Sequence, residues 1–166
     1  MDLITKTLFE IKNPLITIIG EILHNNYIYL AVLAITIYHF EKNNEKRAKI
    51  AFAILITLIV CISIKNLTER ARPCIELIWC PNDYSFPSIH SATAFALMMG
   101  FIRKDQFPIM VLFALFVSFT RINIGVHTIE DVAGALPIAV LCYYFTYNIW
   151  SRVLVWIENF KGRFST

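Results

Sequence analysis

Residues 50–64 read IAFAILITLIVCISI, fifteen positions without a charge, and Lys65 follows at once. A helix crossing the hydrocarbon core of a bilayer needs about 17–25 mostly apolar residues. With a turn added at each end, this run is long enough. Four more charge-free runs lie at 22–40, 84–102, 106–120 and 132–151, holding 19, 19, 15 and 20 residues. Across all 166 residues, 57% are hydrophobic and 16% are charged. A soluble domain carries about a quarter charged residues, and the mean hydropathy of +0.60 points away from one. A disordered chain, a disulfide-rich secreted domain and a conventional soluble enzyme are excluded. The pattern predicts an all-α, polytopic transmembrane helical bundle.

About five spans are expected, near 26–41, 48–67, 87–103, 107–122 and 129–150. No repeat, low-complexity tract or linker divides them, so 1–166 reads as one domain: an interfacial amphipathic segment over 1–25 and a helical bundle over 26–155. In the first segment Ile4, Leu8 and Ile11 share a face, with Lys6, Glu10 and Lys12 turned to water. Asp2, Lys6 and Glu10 interrupt any signal-peptide core. Residues 14–40 read equally as one long bent span or as an interfacial piece plus a short span.

The net charge of +3 says little, and no basic run with interleaved aromatics suggests nucleic acid. Its distribution says more. Lys42, Lys46, Arg47, Lys49, Arg103, Lys104, Arg152, Lys161 and Arg163 fall in alternate loops, as cytoplasmic loops do. The loops 68–86 and 121–128 then face outside. Lys65, Arg70, Arg72 and Arg121 lie at that outer surface and need another reason. Cys74 and Cys80 share the outer loop, where oxidation is permitted. Their gap closes if the chain turns and stays open if Ile75–Trp79 is helical.

Three segments concentrate polar groups at the ends of spans, where ionised side chains cost least. The first is KNLTERARP, Lys65 to Pro73. The second is PSIH, Pro87 to His90. The third is TRINIGVHTIED, Thr120 to Asp131. Lys65, Arg72 and Arg121 supply cations enough for a phosphate dianion. Ser88 can cap a helix whose first free N–H groups favour an anion, and His90 sits in that first turn. His127 and Asp131 stand four apart, so a carboxylate can orient the imidazole and leave its other nitrogen as a nucleophile. Singly, each has a plainer reading: a snorkelling cation, a helix cap, a structural His–Asp pair. A metal site is disfavoured beside three cations. Jointly, nine specified positions in order should arise by chance about once in a million chains.

These blocks resemble the three-part motif of the type 2 phosphatidic acid phosphatase superfamily, the membrane lipid phosphate phosphatases: Lys-x6-Arg-Pro, Pro-Ser-x-His and Ser-Arg-x5-His-x3-Asp. The resemblance covers residues 65–131. It implies a phosphatase without cofactor or metal. Lys65, Arg72, Ser88 and Arg121 would bind phosphate. His127 would form a phosphohistidine, with Asp131 orienting it and His90 acting as acid and base. Thr120 stands where the family has serine and keeps the hydroxyl. Ile89 stands where glycine is common and would narrow the space near the phosphate.

The partners expected are the bilayer and a lipid phosphate or diphosphate, hydrolysed at the extracytoplasmic face, with the C-terminus cytoplasmic. A polyprenyl diphosphate suits a short-looped site with Trp79, Phe86 and Ile89 beside the lipid. Phosphatidylglycerophosphate and phosphatidic acid are the alternatives. A non-catalytic phospholipid-binding or transport protein would keep the cations but has no use for His127 and Asp131 at this spacing.

Overall fold

The computed structural model describes residues 2–11, 13–74 and 80–162. These form seven helices in chain order: α1 (Leu3–Glu10), α2 (Pro14–His24), α3 (Asn26–Phe40), α4 (Asn44–Thr68), α5 (Ile89–Gly100), α6 (Phe107–Asn123) and α7 (Ile129–Gly162). Caps set most of the starts. Asn13, Asn25, Asn43 and Ser88 each accept a first-turn N–H with a side-chain oxygen, satisfying donors that a helix start leaves unpaired.

Helix α5 is the axis, packed against α4, α6 and α7. Its residues Ser91 through Met99 are all buried, and Ala92, Ala94 and Ala96 let neighbouring backbones approach closely. At 12 residues α5 is shorter than the expected span. Its neighbours cover it, so it need not match the bilayer as a lipid-facing helix must. Helix α4 and residues 129–157 of α7 are long and apolar enough to cross a membrane by themselves. Leu112, Leu115, Leu141 and Ile35 are more than half exposed, the lipid-facing belt of a membrane bundle.

Residues 14–40 make a broken element: α2 and α3 meet at a 94° bend. Asn25 makes the break, its Oδ1 accepting the N–H groups of Tyr27 and Ile28. Helix α1 also differs from a simple surface helix. Thr5 and Phe9 are buried and Ile4 is exposed. Thr5 Oγ1 accepts the Ile129 N–H at the start of α7, 2.9 Å away. The Ile4, Leu8 and Ile11 face is therefore turned outward, and the polar Thr5 side docks.

One end of the bundle gathers the basic loops. Lys104 pairs with Glu41, Arg47 donates to the Tyr38 carbonyl at 2.8 Å, and Trp150 Nε1 donates to Glu45 at 3.0 Å. Cys74 and Cys80 are joined in a disulfide with Cα atoms 5.6 Å apart, which answers the question the spacing left open. Ile75–Trp79, including the Trp79 expected beside the lipid, lie outside the described residues.

Candidate active site

The C-terminal ends of α4 and α6, the N-terminal end of α5, the α2–α3 bend and the loop residues Arg72, Asp83 and His127 enclose a cavity of about 400 Å3. Lys65, Arg72, Ile89, His90, Arg121 and His127 line its polar end, and Leu30, Ile54, Leu58 and Ile62 its apolar wall. All three sequence blocks therefore converge.

Gly125 (φ 77°) turns the chain sharply after α6, and the Arg121 carbonyl accepts the N–H groups of Val126 and His127, both at 3.3 Å. This fixes His127 against the first turn of α7. Its Nδ1 lies 3.4 Å from Asp131 Oδ2. Arg72 Nη1 stands 3.0 Å from its Nε2. A guanidinium only donates, so Nε2 carries the lone pair and Nδ1 the proton. Burial holds the imidazole down to a pKa of about 4, against the opposing pull of Asp131. His127 is thus neutral, with its free electron pair at Nε2, across ordinary pH.

Asp131 is fully buried. Its Oδ2 accepts the Thr128 N–H at 2.8 Å and the Ser85 hydroxyl, while Arg70 Nη1 stands 3.8 Å from Oδ1. Arg70 also pairs with Glu130. The Asp131 backbone carbonyl accepts the Ser88 N–H at 3.0 Å, which ties the start of α5 to the start of α7.

His90 occupies the first turn of α5 with its carbonyl accepting the Tyr29 hydroxyl at 2.7 Å. The Tyr29 and His90 rings lie 4.4 Å apart, so α3 braces the imidazole. His90 Nε2 and Arg121 Nε are buried atoms without a protein partner. Such atoms are costly unless a ligand or water completes them. Arg121 is otherwise held by α2, donating to the Gly20 carbonyl.

Three further residues named from the sequence are held as follows. Ser88 is buried, and its Oγ accepts from the Ser91 hydroxyl at 3.1 Å and N–H at 3.5 Å, so the hydroxyl serves the helix cap. Thr120 donates to the Val117 carbonyl at 2.7 Å. Phe86, expected beside the lipid, is seated against α7: a Cβ on Gly134 would lie 2.3 Å from its ring.

Asp83 had no sequence signal. Its carboxylate accepts Arg72 Nη2 at 2.7 and 2.8 Å, and Lys65 Nζ lies 3.1 Å from Oδ2. Burial alone would raise its pKa, but Arg72 and Lys65 outweigh it and hold Asp83 below the ordinary carboxylate range. Lys65 also donates to the Tyr84 and Ser85 carbonyls. Two of the three cations are therefore engaged by an internal anion. Ser85 and His24 likewise lie outside the motif, and polar residues in short loops carry no signature of their partners.

The pattern that describes the PAP2 superfamily matches residues 46–154, well over half of the chain. The chain belongs to the PAP2 superfamily. It is 33% identical over 95 residues to undecaprenyl-diphosphatase BcrC of Bacillus subtilis, covering 55% of this chain and 49% of that protein. It is 32% identical over 81 residues to human sphingosine-1-phosphate phosphatase 2, covering 43% of this chain and 20% of that one. The chain thus spans half or less of these relatives. The crystal structure of Aquifex aeolicus LpxE superposes with a TM-score of 0.70 at 25% identity, covering 87% of this chain and 93% of that one. This PAP2 protein is a membrane protein of a lipid phosphatase family, with the all-helical fold of its transmembrane members.

Proposed function

We propose that the chain hydrolyses a polyprenyl diphosphate through a phosphohistidine, without a metal, at the extracytoplasmic face. The observation that carries the chemistry is His127, with its lone pair at Nε2 beside Arg72 and its Nδ1 toward Asp131. Nε2 attacks phosphorus as the bond to the leaving oxygen breaks, and that oxygen takes a proton from His90. His90 then removes a proton from water, the water oxygen attacks phosphorus, and the P–N bond breaks to release phosphate. Lys65, Arg72 and Arg121 stabilise charge on the transferred group, and the free N–H groups at the start of α5 add to them. Three cations around the phosphate supply the charge a metal would otherwise bring.

The substrate reading rests on the cavity. Its cationic end adjoins an apolar wall of Leu30, Ile54, Leu58 and Ile62 between α3 and α4. Leu30 and Ile62 are about half exposed, so the wall is continuous with the lipid-facing surface. Such a site reads phosphate and hydrocarbon with little between them. The site's face follows from the basic loops gathered at the opposite end. Measured in one detergent, kcat/KM should be higher for polyprenyl diphosphate than for phosphatidylglycerophosphate or phosphatidic acid, and chelator should leave the rate intact. A tenfold preference for a glycerolipid, about 1.4 kcal/mol, overturns the substrate while leaving the phosphatase. Loss of activity with chelator, restored by a divalent ion, overturns the metal-free step.

Asp83 must yield its cations before phosphate can take them. An exposed ion pair contributes about 0.2–1 kcal/mol, and the Asp83 side chain is 52% exposed. Asp83→Asn is therefore expected to tighten vanadate inhibition by up to about fivefold. Weaker inhibition would mean that Asp83 instead holds Arg72 in position.

A further inference from the structure

Ser85 belongs to none of the three motif blocks, yet it is fully buried in the loop just ahead of Pro87. Its backbone is held from two sides. The N–H donates to the Arg70 carbonyl at 2.7 Å, and the carbonyl accepts Lys65 Nζ at 3.4 Å. Both partners lie in the first block, so the main chain of Ser85 is laced to the end of α4 and the segment after it. The side chain serves the third block instead. Its hydroxyl has one proton, which it donates to Asp131 Oδ2. Its lone pairs are left for His127 Nδ1, 3.4 Å away, the same distance that separates Nδ1 from Asp131 Oδ2.

Arg72 leaves the imidazole proton on Nδ1, so that N–H has two acceptors. One is the carboxylate itself, and the other is a hydroxyl polarised by donating to it. In the proposed reaction, on which this inference rests, Nε2 bonds to phosphorus and the ring becomes positive. Nδ1–H is then a stronger donor, and its contact with Ser85 strengthens on the way to the transition state rather than in the resting enzyme. We propose that Ser85 is a positioning residue of this reaction: its hydroxyl relays the Asp131 charge to His127 and holds the imidazole with Nε2 toward the phosphate. Its effect passes through Asp131 and His127, and the cations that bind phosphate do not depend on it.

Ser85→Ala tests this cleanly, because it removes the hydroxyl and keeps both backbone bonds. It should lower kcat about tenfold or more, the cost of losing a hydrogen bond to a charged group. Vanadate inhibition, which rests on the cations, should change by less than about threefold. Ser85→Cys, close in size and a poor donor, should show the same split and serves if the alanine variant does not fold. In an Asp131→Asn background, Ser85→Ala should cost much less than in the wild type, since residues that act through one imidazole do not add. A smaller loss of kcat, a matching loss of vanadate inhibition, or losses that multiply in the double variant would each overturn the assignment. The unsubstituted protein separates the two levels: no phosphate release from polyprenyl diphosphate or from any glycerolipid phosphate would overturn the phosphatase reading itself.

Discussion

His127→Ala is expected to reduce phosphate release about 10^4-fold or more, since removing a nucleophile leaves only what binding and charge stabilisation supply. The expectation comes from geometry as much as from motif. His127 Nε2 is the acceptor in the 3.0 Å contact with Arg72, so the same guanidinium that would hold phosphate stands beside the attacking atom. His127 is also neutral well below pH 6, because burial holds its pKa near 4. No prior deprotonation is needed. Covalency can be read directly. With an activated aryl phosphate the leaving oxygen needs little protonation, whereas release of the enzyme-bound phosphoryl group still needs a base. His90→Ala given such a substrate labelled at phosphorus should therefore accumulate an acid-labile, base-stable phosphoryl group on His127. Full turnover in His127→Ala, or a label that survives the substitution, would sink the covalent step.

The sequence carried the site further than it carried the bundle that holds it. Lys65, Arg72, His90, Arg121, His127 and Asp131 were legible because their spacing is local and their cost near a membrane demands a function. Four of the five expected spans had starts or ends readable from charge and apolar runs. Helix α5 starts at Ile89, as Ser88 read as its cap implies, but the expected span to 103 overextends its other end, since the charge-free run to 102 does not reveal that the helix stops at Gly100. The fate of 14–40 turned on Asn25, whose side chain caps α3 in place of continuing α2. Residues whose roles arise from tertiary approach were not legible. Asp83 and Ser85 reach the site because the Ser85 N–H donates to the Arg70 carbonyl at 2.7 Å, folding the 80–87 loop back over α4. His24 reaches it only because Gly20 lets α2 lie on α6. Ser88 was legible too: the spacing located it as a helix cap, and its Oγ accepts there from Ser91.

Asp131→Asn is expected to lower kcat by about 10^3–10^4-fold, as removal of the carboxylate from a His–Asp pair does when the shape is kept. Asp131 lies behind His127 rather than beside the phosphate, so it acts as a positioning residue. Its Oδ2 faces the Thr128 N–H, the Ser85 hydroxyl and His127 Nδ1, all of which donate. An asparagine can satisfy Thr128 and Ser85 with its carbonyl oxygen, but a neutral oxygen stabilises the positive charge arising on the attacked imidazole far less. If the amide turns its N–H2 toward His127 instead, Nδ1 must supply the lone pair and the proton moves to Nε2, the tautomer that cannot attack. Either outcome falls on kcat. Vanadate inhibition should change by less than about threefold, because Lys65, Arg72 and Arg121 remain in place and oxyanion binding rests on them. That split separates the positioning role from a merely structural one, which would weaken vanadate and kcat together. Asp131→Asn retaining a tenth or more of wild-type kcat would show that Arg72 alone suffices to fix the His127 tautomer, and that the buried carboxylate serves to hold Ser85 against the start of α7 instead.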